Sequence, residues 1–382
     1  MGERLVCESL EPPILQERKQ AVMQHHIRSL WIVLAAAALA TAMGCDREEE
    51  PSPEDAEVVE EADQELSEEE RLAELQERAN AVFEPIPQEV DDVDWDKVEL
   101  GRALFHDKGL SADETVSCAT CHAIEEGGDD GLRVSIGIHD QEGPINSPTV
   151  LNSRYHFVQF WDGREETLED QAKGPIEDPL EMGNDLATAL EYLEGSEVYR
   201  EAFTDLYEEG ITEDTLAHAI AEFERTLITP DAPFDDFLRG DKEAMDEDAI
   251  AGLEAFMDVG CTSCHGGKIL STDSFQKMGL VNDTYFEDRG TEITDADLGR
   301  YNVTGDESDK HYFKVPTLRN VALTGPYYHD GMVDTLEEAV ETMAYYQLGR
   351  ELDEETVDQM VAFMHSLTGE IPEVSTDPMP EL

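Results

Sequence analysis

The sequence predicts a mainly α-helical protein of two small domains, and three observations carry that expectation. The amphipathic stretch "WDKVELGRALFHDKGLS" leads towards Cys118, Cys121 and His122. A second version, "DEDAIAGLEAFMDVGCTSCHGG", leads into Cys261, Cys264 and His265. With 382 residues, the chain has room for two domains with cores of their own.

Taken in chain order, the first segment reads as an address. "RSLWIVLAAAALATAMGC" has a basic flank at Arg28, an apolar run from Leu30 to Met43, and Cys45 behind it. The run is too short for a comfortable membrane span, so residues 1–44 are read as a signal sequence. Cys45 is read as a lipidation site, with a plain secretory signal as the alternative. Residues 45–78 are expected to be an acidic, disordered tether: positions 46 to 70 hold fourteen acidic residues and one Arg. Such a segment buries too little apolar surface to offset its ordering entropy.

Folded sequence is expected from residue 79. The N-terminal domain is assigned to 79–240, the C-terminal domain to 241–370, and a tail to 371–382. In the first helix Val98, Leu100, Leu104 and Phe105 recur at helical spacings and Gly109 closes the unit. In the second, Ile250, Leu253, Phe256 and Met257 do the same before Gly260. A third helix, "DTLEEAVETMAYYQLG", starts on a capping-box pattern at Thr335 and Glu338 and stops at Gly349. Leu336, Val340, Met343 and Gln347 share one of its faces, which aims Met343 at an interior. Met360 and Met364, on the last helix, read as core packing.

Charge narrows the function. With 90 acidic and 26 basic residues the net charge is -64, which excludes nucleic acid as a partner and argues against an anionic substrate. A small neutral substrate or a basic protein fits. Of the six cysteines, Cys7 and Cys45 lie in the address region and four form the two pairs. Zinc needs four clustered ligands, whereas His122 and His265 stand 143 residues apart. A thioredoxin-like pair sits in a strand-helix context and does not call for the histidine. Haem c accounts for both pairs: two sulfurs bond the haem vinyls and the adjacent histidine lies beneath the iron. The fold class is therefore two cytochrome c-like helical domains, each binding one covalent haem c.

A further set of motifs runs in order through the folded part: "LSADETVSCATCH", "GPINSPTVLN", "FWDGREETLEDQAKGPI", "PLEMG", "GCTSCHGG", "VPTLRNVALTGPYYHDG" and "MAYYQLG". With them the chain resembles the bacterial dihaem cytochrome c peroxidase family from about residue 95 to 369. That family includes tryptophan-modifying relatives with Tyr in place of the Met ligand; Met343 at that position favours the peroxidase branch.

The resemblance implies a set of roles. His122 is the proximal ligand of an N-terminal, peroxidatic haem, and His265 with Met343 ligates an electron-transferring C-terminal haem. Trp161 lies between the haems as an electron relay. Gln171 orients peroxide and Glu181 is the acid/base, because heterolysis of the O–O bond requires a proton to move from the inner to the outer oxygen. A calcium ion between the domains takes the side-chain oxygen of Asn146 and the carbonyls of Thr324 and Pro326. Many members also carry a displaceable His on the peroxidatic iron, sixteen residues after the proximal one. Here that place is Ile138 and the histidine is His139. Either a one-residue shift brings His139 to the iron, or it is an exposed loop residue and the site stands open; the first is the expectation taken forward.

The reading is thus a periplasmic, lipid-tethered dihaem peroxidase that reduces hydrogen peroxide with electrons from a small, basic cytochrome c or similar carrier. A homodimer is expected, with no nucleic-acid partner and no membrane contact beyond the anchor. The rivals are a pure electron-transfer dihaem protein and a relative that oxidises a protein or organic substrate.

Overall fold

Among residues 67–376, which the computed structural model describes, regular structure is nearly all helix. Thirteen α-helices are present: α1 Glu68–Asn80, α2 Trp95–His106, α3 Cys118–Cys121, α4 Leu168–Glu177, α5 Leu186–Gly195, α6 Glu197–Leu206, α7 Glu213–Glu224, α8 Pro233–Arg239, α9 Glu247–Val259, α10 Tyr285–Asp288, α11 Tyr301–Thr304, α12 Leu336–Leu348 and α13 Glu354–His365. One antiparallel ribbon joins β1 Phe275–Lys277 to β2 Tyr312–Lys314, with Phe275 opposite Lys314. The signal segment, Cys45 and residues 46–66 of the expected tether lie outside the described residues. No helix among the described residues is long and apolar enough to cross a membrane.

The duplicated sequence unit builds two cores by the same device. In the first core α2 crosses α7, and a Cβ at Gly101 would stand 1.8 Å from the Ala219 carbonyl oxygen. In the second α9 crosses α13, and a Cβ at Gly252 would stand 1.9 Å from the Gln359 carbonyl oxygen. Each glycine lets two backbones touch, and the aromatic ring four residues on, Phe105 or Phe256, fills the space beyond and is almost fully buried. The apolar positions Val98, Leu100, Leu104, Ile250 and Leu253 are all buried, as their spacing predicts. Met360 and Met364 are in the second core.

Three elements differ from the expectation in extent. Helix α1 occupies the last part of the stretch expected to be a tether. Ser67 caps it, accepting from the Glu70 N–H while the Glu70 carboxylate accepts from the Ser67 N–H. Leu75 and Ala79, four residues apart, then bury one stripe in the second core. The apolar stripe is narrow, and the glutamates on the other faces mask it in composition. Helix α8, assigned to the first domain, puts Phe234, Phe237 and Leu238 into the second core. The expected tail turns back on the body: Ile371 and Val374 pack against the first core, and Arg102 donates to the Ser375 carbonyl at 2.6 Å.

Helix α12 follows its sequence signals closely. Thr335 accepts from the Glu338 N–H at 3.2 Å, and Gly349 ends the helix with φ 64°, a conformation glycine adopts without strain.

The glycine crossings generate a stability prediction. Gly252→Val forces α9 from α13 and is expected to cost about 1–3 kcal/mol, the usual range for an overpacked contact, as a lower midpoint in chemical denaturation of the holoprotein. A midpoint equal to wild type would contradict the close-crossing account.

Candidate active site

The two Cys-x-x-Cys-His units have different backbones but present their histidines alike. Cys118–Cys121 is a single helical turn, started by Ser117 and Thr120 in a reciprocal cap. Cys261–Ser263 is a 3-10 turn reached through Gly260, whose φ is 105°. His122 Nδ1 lies 3.2 Å from the Gly128 carbonyl oxygen, and His265 Nδ1 lies 3.0 Å from the Leu270 carbonyl oxygen. A carbonyl only accepts, so each Nδ1 carries the hydrogen and each Nε2 keeps a free lone pair for a metal. Burial lowers both imidazole pKa values and keeps the rings neutral.

The four cysteines of the two units are free thiols, joined neither to one another nor across units. Burial pushes Cys121 up to about 11 and Cys261 up to about 12, so both are held protonated.

Both histidines line one interior cavity, together with Cys121, Cys261 and Cys264; Cys118 packs against the first core beside it. The empty space is about 2700 Å³ counting its open mouths. Free thiols paired with neutral imidazoles, at two places on one cavity, fit two covalently held haems.

The rest of the lining is unequal between the two anchors. Gln171 and Pro175 reach the cavity from α4, and Pro175 lies inside the helix, not in a loop. With no N–H it leaves the Gln171 carbonyl without its helical donor. Glu181 follows α4 in a turn, its own carbonyl accepting from the Ile138 N–H at 2.8 Å. Its carboxyl is pushed up to about 7, chiefly by burial, with Asp178 adding to the rise and Arg164 opposing it. The charge of Glu181 bears on both Cys118 and Cys121, which places it at the first anchor. Met343 enters from α12, one turn after Val340, and packs with Trp161 beside Met278 and Phe313.

Trp161, Asn146 and His329 all line the cavity and are tied together. Trp161 Nε1 donates to the Asn146 carbonyl at 2.9 Å, and the Asn146 N–H donates to the His329 carbonyl at 2.8 Å. The Asn146 side-chain amide donates to the Leu132 and Arg133 carbonyls at 2.8 and 3.4 Å, which turns Oδ1 the other way. Thr324 and Pro326 line the same cavity.

His139 is the one candidate ligand that does not line it. The place sixteen residues after His122 is filled by Ile138, which is buried, whereas the His139 side chain is 67% exposed. A left-handed backbone at φ 57° turns it outward, and Nδ1 sits 3.1 Å from an Asp113 carboxylate oxygen. The shift needed to bring His139 to the cavity is absent from this conformation.

Three cavity residues escaped the sequence reading. Glu224, on α7, is buried with Oε2 unpaired, and burial pushes its carboxyl up to about 8. It stands four residues after buried Ile220, so helical spacing had the signal. His156 and Lys314 carry no such mark.

Comparison with known proteins agrees with this geometry. A family model described as Di-haem cytochrome c peroxidase matches residues 95–243. The chain is 50% identical over 294 residues to cytochrome c peroxidase Ccp of Escherichia coli, covering 77% of this chain and 62% of that protein, less than two thirds of its length. It is 43% identical over 303 residues to cytochrome c551 peroxidase of Nitrosomonas europaea, covering 79% of this chain and 88% of that one. Among solved structures, a MauG-like protein associated with microbial copper homeostasis superposes with a TM-score of 0.65 at 28% identity, over 75% of this chain and 95% of its own. The chain belongs to the di-haem cytochrome c peroxidase family.

Proposed function

We propose that this protein is a periplasmic peroxidase, tethered through a lipid on Cys45, that reduces hydrogen peroxide with two electrons and two protons to two waters. The electrons come from a small cytochrome c or similar carrier. The observation that carries this reading is the inequality of the two anchors: Met343 stands on α12, whose Leu336 and Val340 belong to the core that Cys261 packs against, and Glu181, a carboxyl pushed up to about 7, acts on Cys118 and Cys121 of the other.

Two haems held by these residues would supply the one-electron redox chemistry and a metal for peroxide. The chain does the rest. Cys118 and Cys121, and Cys261 with Cys264, form the thioether tethers, and His122 and His265 supply the proximal nitrogens. Met343 completes the second site and raises its potential, since a thioether favours the reduced metal. Trp161 relays electrons between the sites, in keeping with its bond to the Asn146 carbonyl at the cavity wall. Gln171 orients peroxide, while Glu181 takes the inner oxygen's proton and returns it to the outer oxygen as water leaves. The outward position of His139 supports a peroxidatic site that stands open, over one closed by a displaceable ligand.

A calcium ion is assigned to the oxygen atoms of Asn146, Thr324 and Pro326, because the Asn146 amide nitrogen is already spent on two carbonyls and its Oδ1 is left to accept a hard cation. Beside it Leu132, Leu323 and Met332 are exposed at 44%, 39% and 39%, which supports a homodimer on that face. The net charge of -64 favours a basic donor, captured at a rate that falls with ionic strength.

Three outcomes follow from these roles. The double substitution Cys261→Ala, Cys264→Ala halves the covalently bound haem per chain and ends donor oxidation; retention of both haems would refute the second anchor. Glu181→Gln lowers peroxide turnover roughly 10²–10⁴-fold in a cytochrome-coupled assay. Because the shuttle must begin as a carboxylate and burial raises its pKa to about 7, wild-type turnover falls as pH drops through that value, and the variant lacks this limb. Equal rates in the two proteins would remove Glu181 from the mechanism. Chelating calcium is expected to shift sedimentation towards the monomer, and no shift would separate the ion from the interface.

A further inference from the structure

Lys314 is buried at 6% exposure, at the end of β2, and lines the cavity. The chain holds 90 acidic residues, yet among the described residues no carboxylate pairs with this amine, and burial pushes it down to about 7. His156 lines the same cavity with Nδ1 buried and without a hydrogen-bond partner, within reach of the Lys314 charge. The ribbon brings them together. Phe275, opposite Lys314 in the register, meets Phe157 edge-on with ring centres 5.5 Å apart.

The other basic side chains lining the cavity already have partners. Arg164 is 3.2 Å from Asp162, His329 is 2.9 Å from Asp297, and His122 and His265 are committed to carbonyls. An unpaired buried amine and an unpaired buried imidazole nitrogen facing one interior space are costly unless a group that accepts hydrogen bonds, above all an anion, enters it. Haem c spends its vinyl groups on cysteine sulfurs but keeps both propionate carboxylates, and these must be accommodated inside a protein whose net charge repels them.

We propose that His156 and Lys314 form the carboxylate subsite of the haem cavity, holding propionate groups of the bound cofactor where the two halves of the chain meet. This rests on the cavity holding haem. The Lys314 N–H donates to the Trp161 carbonyl at 2.8 Å, so the subsite is tied by main chain to the segment between the anchors. A cation against a propionate offsets negative charge near the iron, favours the reduced state, and so raises the potential of the haem it touches.

The test is a spectroelectrochemical titration of holoprotein carrying Lys314→Met or His156→Phe. Each variant is expected to move the midpoint potential of one haem downward and leave the other in place, with the absorption spectra of the axial ligation unchanged. Lys314→Arg keeps the wild-type potential. Thermal melting gives a second sign: Lys314→Met lowers the Tm of the holoprotein by stranding a carboxylate, whereas removal of an unpaired ammonium would raise it. Midpoints equal to wild type in both Lys314→Met and His156→Phe, or a raised Tm in Lys314→Met, overturn the proposal. Wild-type peroxide turnover is measured beside these. A protein with both haems, no turnover and the expected shift sinks the peroxidase reading and leaves the subsite standing, and unmoved midpoints with normal turnover do the reverse.

Discussion

One hydrogen bond, made twice, governs what both ends of the cavity can do. An imidazole offers two nitrogens, and its chemistry depends on which carries the hydrogen. The Gly128 and Leu270 carbonyls take the Nδ1–H of His122 and His265, so Nε2 is left bare towards the interior. Everything upstream serves that orientation. The cores packed at Gly101 and Gly252 fix helices α2 and α9, and these deliver a turn in which the cysteines and the histidine fall at set places. The contact to a main-chain carbonyl also stiffens the ring against rotation, as metal-binding histidines require.

Given two matching anchors, function has to come from their surroundings. Burial is the lever on the first side, since it brings the Glu181 carboxyl to about 7, where it can both take and give a proton at neutral pH. A surface glutamate, of which this chain has many, has no such use because it stays ionised. On the second side the cavity wall offers Met343, an uncharged sulfur that neither donates nor accepts protons strongly. The acidic charge works on a longer scale, repelling anions and attracting basic partners, while the few interior charges act locally.

Local features of this fold were legible where a residue pattern is tied to one conformation. Thr335, Glu338 and Gly349 bounded α12 within a residue, and the apolar positions of α2 and α9 marked their buried faces. The Cys-x-x-Cys-His units spoke for themselves, whereas the roles of Gln171, Glu181 and Met343 came from resemblance and not from spacing. Helix α1 was missed because its glutamates dominate composition while its buried stripe, Leu75 and Ala79, is two residues wide. His139 was misjudged by one position: whether a loop side chain faces in or out depends on a single backbone angle, here φ 57°, and on Asp113, 26 residues away. Lys314 and His156 had no local signature, since only the ribbon and the packing of Phe157 on Phe275 bring them to one cavity.

The division of labour between the two anchors is the centre of this account. It is tested most directly by mixing half-reduced holoprotein, with only the higher-potential haem reduced, with one equivalent of hydrogen peroxide in a stopped-flow spectrometer without donor. Prompt loss of peroxide with oxidation of the reduced haem is the predicted result. Peroxide that persists while the reduced haem's spectrum stays unchanged would contradict it.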